Sequence, residues 1–176
     1  MRYYGYRCGI YCCSVDKDRL VDLIPVFERQ GVWVQFLPCE YVVSERAVRL
    51  GVLLAIRDFV YGENLAKKLS LQVCLRIFVK RQIRDVLKIL NEGGQKVYLV
   101  VVSRSTISNI FENIKSCGVA EEIQCSACYP DIDSIVAIYG LSWDIIRSQA
   151  SSRGEDVRDI IEKIVLEKIS TGFLWK

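Results

Sequence analysis

The sequence predicts an α+β fold: one domain, residues 1–176, in which a small mixed β-sheet is packed with several α-helices. The length of 176 residues is typical of a single domain. Hydrophobic residues make up 51% and charged residues 26%, a globular composition with ample material for a core. Strand-like and helix-like segments follow one another in mixed order. We therefore expect three or four strands and six or seven helices.

The first third of the chain is predicted to alternate strand and helix. Residues 2–13 contain aromatic and β-branched residues, which favours an edge strand. Residues 16–29 carry apolar side chains at helical spacing, and Pro25 is expected to cut or kink that helix. The run VWVQFL at Val32–Leu37 is typical of a buried strand.

The middle of the chain is predicted to contain two long helices and the central strand. Ser44 can cap a helix from Glu45 to Tyr61, with Gly62 just past its end. Ser70 can cap a second helix from Leu71 to about Leu90, with the apolar stripe Leu75, Val79, Ile83, Val86 and Leu90. Lys96–Val102 (KVYLVVV) is apolar on both faces and therefore predicts a central strand.

The last third is predicted to be helical. A helix over 105–116 is expected to carry Ile107, Ile110, Phe111 and Ile114 and to stop at Gly118. Pro130 opens a short helix that ends at Gly140, and Ser142 can cap the next one. Glu155–Ile169 closes the chain as an amphipathic helix.

Histidine is absent from the sequence. This absence excludes a Ser-His-Asp triad, a Cys-His pair and any His-ligated metal site. The chain also lacks the phosphate-binding loop, the dinucleotide glycine motif and the nucleophile-elbow motif. No catalytic constellation is therefore evident.

Eight cysteines are present, at positions 8, 12, 13, 39, 74, 117, 125 and 128. The first residues have no apolar run typical of a signal peptide, and the longest apolar stretches are too short to span a bilayer, so we expect a soluble cytoplasmic protein. The cysteines are then either buried thiols or disulfides of a hyperthermophile. The pair Cys125 and Cys128 lacks a second pair at regular zinc spacing, so we favour a core thiol pair or a disulfide over a metal site.

Positive charge is concentrated in one segment. Residues 64–88 contain seven Lys or Arg and one acid, Asp85, so this segment carries +6 while the rest of the chain sums to −3. Arg76, Lys80 and Arg84 recur every four residues and would form one basic stripe on a continuous helix. Such a stripe suits a phosphate backbone, and the alternative is a solvated helix face.

The same region resembles a known family. The run AIRDFVYGENLAKKLSLQVCLRIFVKRQIRDVLKIL, residues 55–90, resembles the signature of the PRPK-binding-protein family, the TPRKB and Cgi type of accessory subunit in the KEOPS complex. The matching features are Ala55, Phe59, Gly62, Asn64, Ser70-Leu71, Arg76 and Gln82-Ile83. Further on, the step Ile138-Tyr139-Gly140-Leu141 and the closing segment Val165–Ile169 are also similar to the family. Where the family has a small residue and Gly, this chain has Phe78-Val79, which predicts continuous helix in place of a turn.

The resemblance implies a protein without chemistry or cofactor of its own. The KEOPS assembly places a threonylcarbamoyl group on an adenosine next to the tRNA anticodon, and another subunit performs the transfer. The family binds the small atypical kinase/ATPase subunit and the single-stranded 3′ CCA end of tRNA. The RNA-binding residues expected here are Lys67, Lys68, Arg76, Lys80 and Arg81 for charge, Gln82 for a base edge and Ile83 for an apolar contact.

Other interpretations stay open from the sequence. Ile83 lies on the apolar stripe and is equally compatible with the core, and Arg76 can pair with Asp85 or Glu63. The whole chain can also be a thiol- or zinc-dependent enzyme that uses Cys125 and Cys128. A third possibility is a pure adaptor that binds the kinase without contacting RNA.

Overall fold

The structure is a computed structural model that describes residues 1–105 and 109–172. Its sheet is built from β1 (Arg2–Tyr3), β2 (Tyr6–Val15), β3 (Val32–Pro38), β4 (Lys96–Ser103) and β5 (Ala120–Glu122). The order across the sheet is β1-β2-β4-β3, and β5 pairs with the other end of β2. Every pairing among these strands is antiparallel. The α+β prediction is confirmed, with an antiparallel rather than a mixed sheet.

Eight α-helices surround this sheet in the described part of the chain. They are α1 (Lys17–Arg29), α2 (Glu45–Tyr61), α3 (Leu69–Phe78), α4 (Ile83–Glu92), α5 (Ile110–Ser116), α6 (Ile132–Tyr139), α7 (Trp143–Arg153) and α8 (Val157–Thr171). None of the helices in these ranges has the length and apolar character needed to cross a membrane.

The segments predicted as strands are strands in the structure, but not all of them have the predicted place in the sheet. The predicted edge strand over residues 2–13 divides into two strands: β1 lies at an edge of the sheet, whereas β2 has β4 on one side and both β1 and β5 on the other. The opposite edge is β3, which pairs with β4 alone, while β4 is central as expected. Strand β3 is buried because helices α1, α3 and α4 pack on it.

The predicted helix signals hold where a cap or a left-handed glycine is present. The Ser44 hydroxyl accepts a hydrogen bond from the Ala47 N–H at the start of α2, and Gly62 ends that helix with φ of 71°. Pro25 lies inside α1 without ending it. The helix predicted over 105–116 begins at Ile110 in the structure, and the predicted stripe residue Ile107 lies outside the described residues.

The core consists of two apolar clusters that share α2. The larger cluster lies between the sheet and the helices, and α2 contributes Val48, Val52, Ala55 and Ile56 to it. The second cluster is formed by α6, α7 and α8, and α2 contributes Ala47 and Leu54. Because two faces of α2 are used in this way, only its remaining face meets solvent.

Candidate nucleic-acid-binding site

The basic segment is divided by a sharp turn, residues 79–82, between α3 and α4. Val79 takes a left-handed conformation with φ of 52°. The Val79 N–H donates to the Arg76 carbonyl at 3.3 Å, and the Lys80 N–H donates to the Leu75 carbonyl at 3.0 Å. This pair of bonds is a Schellman motif, which normally uses glycine at the left-handed position. The prediction of one helix from Leu71 to Leu90, and with it a continuous basic stripe, is therefore wrong.

Arg76 does not belong to the surface. Its side chain is buried, and its Nε and Nη2 atoms each donate to one carboxylate oxygen of Asp58 at 2.5 Å. Gln72 donates to the same carboxylate at 2.6 Å. The partner is Asp58 on α2, not Asp85 or Glu63. Because burial and a bidentate partner occupy this guanidinium, we correct its assignment as a surface contact for RNA.

Gln72 connects this buried ion pair to the loop that carries two of the predicted lysines. Its Oε1 atom accepts hydrogen bonds from the backbone N–H groups of Leu65 and Ala66 at 3.0 and 3.1 Å. Lys67 and Lys68 follow directly and are exposed. Lys68 forms an ion pair with Glu28 at 2.8 Å. The buried pair thus fixes the loop, and the lysines project from it.

The remaining predicted residues lie at the turn itself. Arg81 and Gln82 are exposed, and the Gln82 side chain accepts a hydrogen bond from Arg84 at 3.2 Å. Lys80 is half-buried and donates to the Ile138 carbonyl at 2.7 Å. Ile83 is half-buried and packs on the sheet cluster, so its side chain serves the core as the alternative interpretation held.

Lys80 joins the turn to a distant segment of the chain, the step at residues 138–141. A surface cavity of about 260 Å³ opens between them, lined by Phe78, Val79, Lys80, Ala137, Ile138, Tyr139, Gly140 and Lys168. At its base the Tyr139 hydroxyl donates to the Ile77 carbonyl at 2.6 Å, and burial raises the pKa of this phenol, so it stays neutral. The cavity is therefore lined by two lysines and by a tyrosine whose phenol stays neutral. Sequence reasoning missed Lys168, because no local signal links the last helix to the turn.

Two residues near the turn add exposed positive charge that the sequence also indicated. The side chains of Arg84 and Lys88 are 85% and 73% exposed. Positions 84 and 88 share one side of α4, because residues four apart are neighbours on a helix, and Arg81 lies in the turn that precedes it. The site therefore has two lysines in the cavity lining and exposed cations in the turn and helix that follow Lys80.

The cysteines form no second chemical centre in the described residues. Cys125 is bonded to Cys12, and Cys128 is bonded to Cys39, so both are in disulfides but not with each other. Within the described ranges, no cluster of His, Cys, Asp and Glu suits a metal ion. Burial raises the pKa of the free thiols Cys8 and Cys13 to about 11 and about 12. In this state neither Cys125 nor Cys128 is a nucleophilic thiolate or a zinc ligand.

No family model matches the chain, and no curated protein matches it.

Proposed function

We propose that this protein is a non-catalytic subunit of a KEOPS-type assembly for threonylcarbamoyladenosine modification of tRNA. In this role it binds the single-stranded 3′ CCA end of tRNA and the small kinase/ATPase subunit, in the cytoplasm. The two disulfides are compatible with that compartment if the source is a hyperthermophile.

One observation carries the proposal. Two of the segments that carry the family resemblance, the run 55–90 and the step at residues 138–141, meet at one cavity, where Lys80 donates to the Ile138 carbonyl 58 positions further along the chain. The cavity volume of about 260 Å³ is just below the range of about 300–1,000 Å³ typical of small-molecule sites. A cavity of this size suits one unit of a polymer better than a complete free ligand.

The charge around the cavity supports a single-stranded nucleic acid. Lys80 and Lys168 line it, and Arg81 and Arg84 are exposed one and four residues after Lys80. Phosphates need such cations, and unpaired bases need an apolar or planar surface, which guanidinium groups and the cavity wall supply. Gln82 is placed to hydrogen-bond a base edge, and Lys67 and Lys68 extend the positive surface. Arg76 and Ile83 do not contact the RNA in this proposal. Their buried contacts hold the turn in place.

The test is a binding assay with full-length tRNA and with the same tRNA lacking its terminal CCA. We expect the trimmed tRNA to bind at least about tenfold more weakly, and affinity for both to fall with salt. The paired variant Arg81→Glu and Arg84→Glu should lose the preference for the tail. The control Arg158→Glu, an exposed arginine on α8, should retain it. Equal binding of both tRNAs by the wild-type protein would contradict the proposal.

A further inference from the structure

A tetrapeptide of sequence Cys-Ser-Ala-Cys, residues 125–128, lies across the sheet and is fastened at both of its ends. We call it the CSAC segment. Cys125 is bonded to Cys12 in β2, and Cys128 is bonded to Cys39, which directly follows β3. Because β4 lies between β2 and β3, the two disulfides hold the CSAC segment across β4.

The backbone of the CSAC segment is a single 3-10 turn. Residues Cys125–Ala127 are a 3-10 helix, and the Cys128 N–H donates to the Cys125 carbonyl at 3.0 Å. A 3-10 helix rises about 2.0 Å per residue and places side chains three apart on the same side, so the Cα atoms of the two cysteines are about 6 Å apart. Disulfides join Cα atoms about 4.4–6.8 Å apart. Cys125 and Cys128 are therefore within bonding reach of each other, although each is bonded to a different residue.

The two disulfides differ in their access from solvent. Cys125 is exposed, whereas Cys12, Cys39 and Cys128 are buried. A thiolate in solution can therefore reach one end of the Cys12–Cys125 bond and neither end of the other. The four remaining cysteines are free thiols. Among the described residues, the Cys39–Cys128 bond is therefore the one disulfide that a freed Cys125 thiolate can attack.

We propose that the CSAC segment is a redox switch that works by thiol–disulfide exchange with a dithiol reductant. One thiolate of the reductant attacks the Cys125 Sγ atom and the bond to Cys12 breaks. The second thiol of the reductant then displaces Cys125, and the reductant departs with its own internal disulfide. The freed Cys125 thiolate attacks the Cys128 Sγ atom, and the bond to Cys39 breaks as the Cys125–Cys128 bond forms. Two electrons and two protons pass from the reductant to the chain, which keeps one disulfide and gains thiols at Cys12 and Cys39.

This exchange detaches the segment 123–131 from the sheet. In the exchanged form no disulfide joins this segment to a strand. Its backbone hydrogen bonds are left, such as the one that the Asp131 N–H donates to the Glu40 carbonyl at 2.9 Å. Helix α6 begins at Ile132, directly after the segment, and has eight residues. The start of α6 therefore moves more freely once the cross-links are lost.

The far end of α6 is a wall of the candidate site, and this position connects the switch to binding. Ile138, Tyr139 and Gly140 line the cavity, and Lys80 donates to the Ile138 carbonyl at 2.7 Å. A loosened wall must be ordered again when a ligand binds, so exchange lowers the affinity of the cavity. The oxidised protein is thus the binding form. The identity of the ligand rests on the proposed function, whereas the exchange itself does not.

The chemical step is tested on the full oxidised chain with an equimolar amount of dithiothreitol. Samples are quenched with acid at successive times, alkylated and mapped by mass spectrometry. Beyond the four cysteines that are free before treatment, we expect label first at Cys12 and Cys125 and then at Cys12 and Cys39. The later samples should contain a peptide in which Cys125 is bonded to Cys128. The matched control Cys125→Ser lacks the attacking thiol, so the same treatment should leave Cys39 bonded to Cys128.

The effect on the site is tested by tRNA binding. We expect the exchanged wild-type protein to bind full-length tRNA at least about fivefold more weakly than the oxidised protein, with unchanged affinity for tRNA that lacks its CCA end. The double variant Cys12→Ser and Cys39→Ser leaves Cys125 and Cys128 as partners for each other and should bind like the exchanged protein. The control Cys117→Ser, at an exposed free thiol, should bind like the oxidised protein.

The failure of the switch and the failure of the proposed function are distinguishable. Persistent label at Cys12 and Cys125 with an intact Cys39–Cys128 bond overturns the exchange and leaves the proposed function standing. Complete exchange with unchanged affinity for full-length tRNA overturns the control of the site. If the oxidised protein binds full-length and trimmed tRNA equally, the proposed function fails, and the peptide map alone decides the exchange.

Discussion

Arg76 is predicted from the sequence to bind RNA at the surface, but in the structure it forms a buried ion pair with Asp58. Both side chains are almost fully buried, and the Asp58 carboxylate accepts from Arg76 and Gln72. A buried charge is tolerated only when it is paired and hydrogen-bonded. The pair therefore holds α2 and α3 together and fixes the loop that carries Lys67.

Arg76→Ala is expected to destabilise the protein by about 3–5 kcal/mol, because it removes the bidentate partner of the buried Asp58 carboxylate and leaves only the Arg57 guanidinium, 3.6 Å away. Urea unfolding followed by far-UV circular dichroism measures the change. The control Arg84→Ala removes an arginine that is 85% exposed and should cost less than about 0.5 kcal/mol. Similar costs for the two variants would place Arg76 at the surface after all.

The four free cysteines differ sharply in accessibility. Cys8, Cys13 and Cys74 are buried and Cys117 is exposed. Burial also raises the pKa of each of the three buried thiols, so they stay protonated at pH 8. We expect a thiol reagent at pH 8 to modify one cysteine in the native protein and four after unfolding without reductant, as counted by mass spectrometry. More than one rapid modification under native conditions would contradict the burial of the other three.

At the scale of elements, the break between α3 and α4 depends on Val79. Its left-handed conformation costs a β-branched residue about 1–2 kcal/mol. Its side chain is half-buried against Gly172, where a Cβ would come within 2.3 Å of a Val79 methyl carbon. The strain is therefore offset by packing of the turn on the end of α8.

Val79→Gly should change stability by less than about 1 kcal/mol. Relief of the left-handed strain opposes the lost packing and the backbone entropy of glycine, about 0.5–1 kcal/mol. The matched control Val73→Gly lies within α3, has a fully buried side chain and should cost about 2–4 kcal/mol. Thermal and urea unfolding of both variants test this difference. A cost at Val79 as large as that at Val73 would mean that packing, not strain, dominates the turn.

The elements that the sequence predicts well are those with a local signal. Ser44 and Gly62 bound α2, and the β-branched run Lys96–Val102 marks the central strand. The break after Phe78 has no such signal, because the apolar spacing continues across it and valine is rarely left-handed. For the candidate site, the sequence predicts only which segment is positively charged. Which cations are exposed depends on Asp58, eighteen residues before Arg76, and on Lys168 far beyond it.

At the scale of the whole molecule, the sheet cluster and the helical cluster of α6–α8 are connected by the segment 123–131, which two disulfides fasten. Cys125 is bonded to Cys12 in β2, and Cys128 is bonded to Cys39 just after β3. In addition, the Asp131 N–H donates to the Glu40 carbonyl at 2.9 Å. This anchoring sets where α6 begins, and the far end of α6 forms a wall of the candidate site.

The bonded residues are 113 and 89 positions apart in sequence, so each disulfide closes a long loop of the unfolded chain. Cross-links of this length typically contribute about 2–5 kcal/mol, because they restrict the unfolded ensemble. We expect Cys39→Ala with Cys128→Ala to lower the free energy of unfolding by that amount. For a chain of this size each kcal/mol corresponds to about 2–4 °C in Tm.

The same reasoning predicts an order of reduction. Cys125 is exposed, whereas Cys39 and Cys128 are both buried, so a dithiol reductant should open the Cys12–Cys125 bond first under native conditions. Alkylation and peptide mapping at successive times of reduction measure the order, and calorimetry follows Tm in the same samples. Cys117→Ala, which removes an exposed free thiol, is the control and should leave Tm unchanged. Equal Tm values for the oxidised and the fully reduced protein would show that the cross-links do not stabilise this fold. Faster reduction of the Cys39–Cys128 bond would show that the 123–131 segment opens from its α6 end.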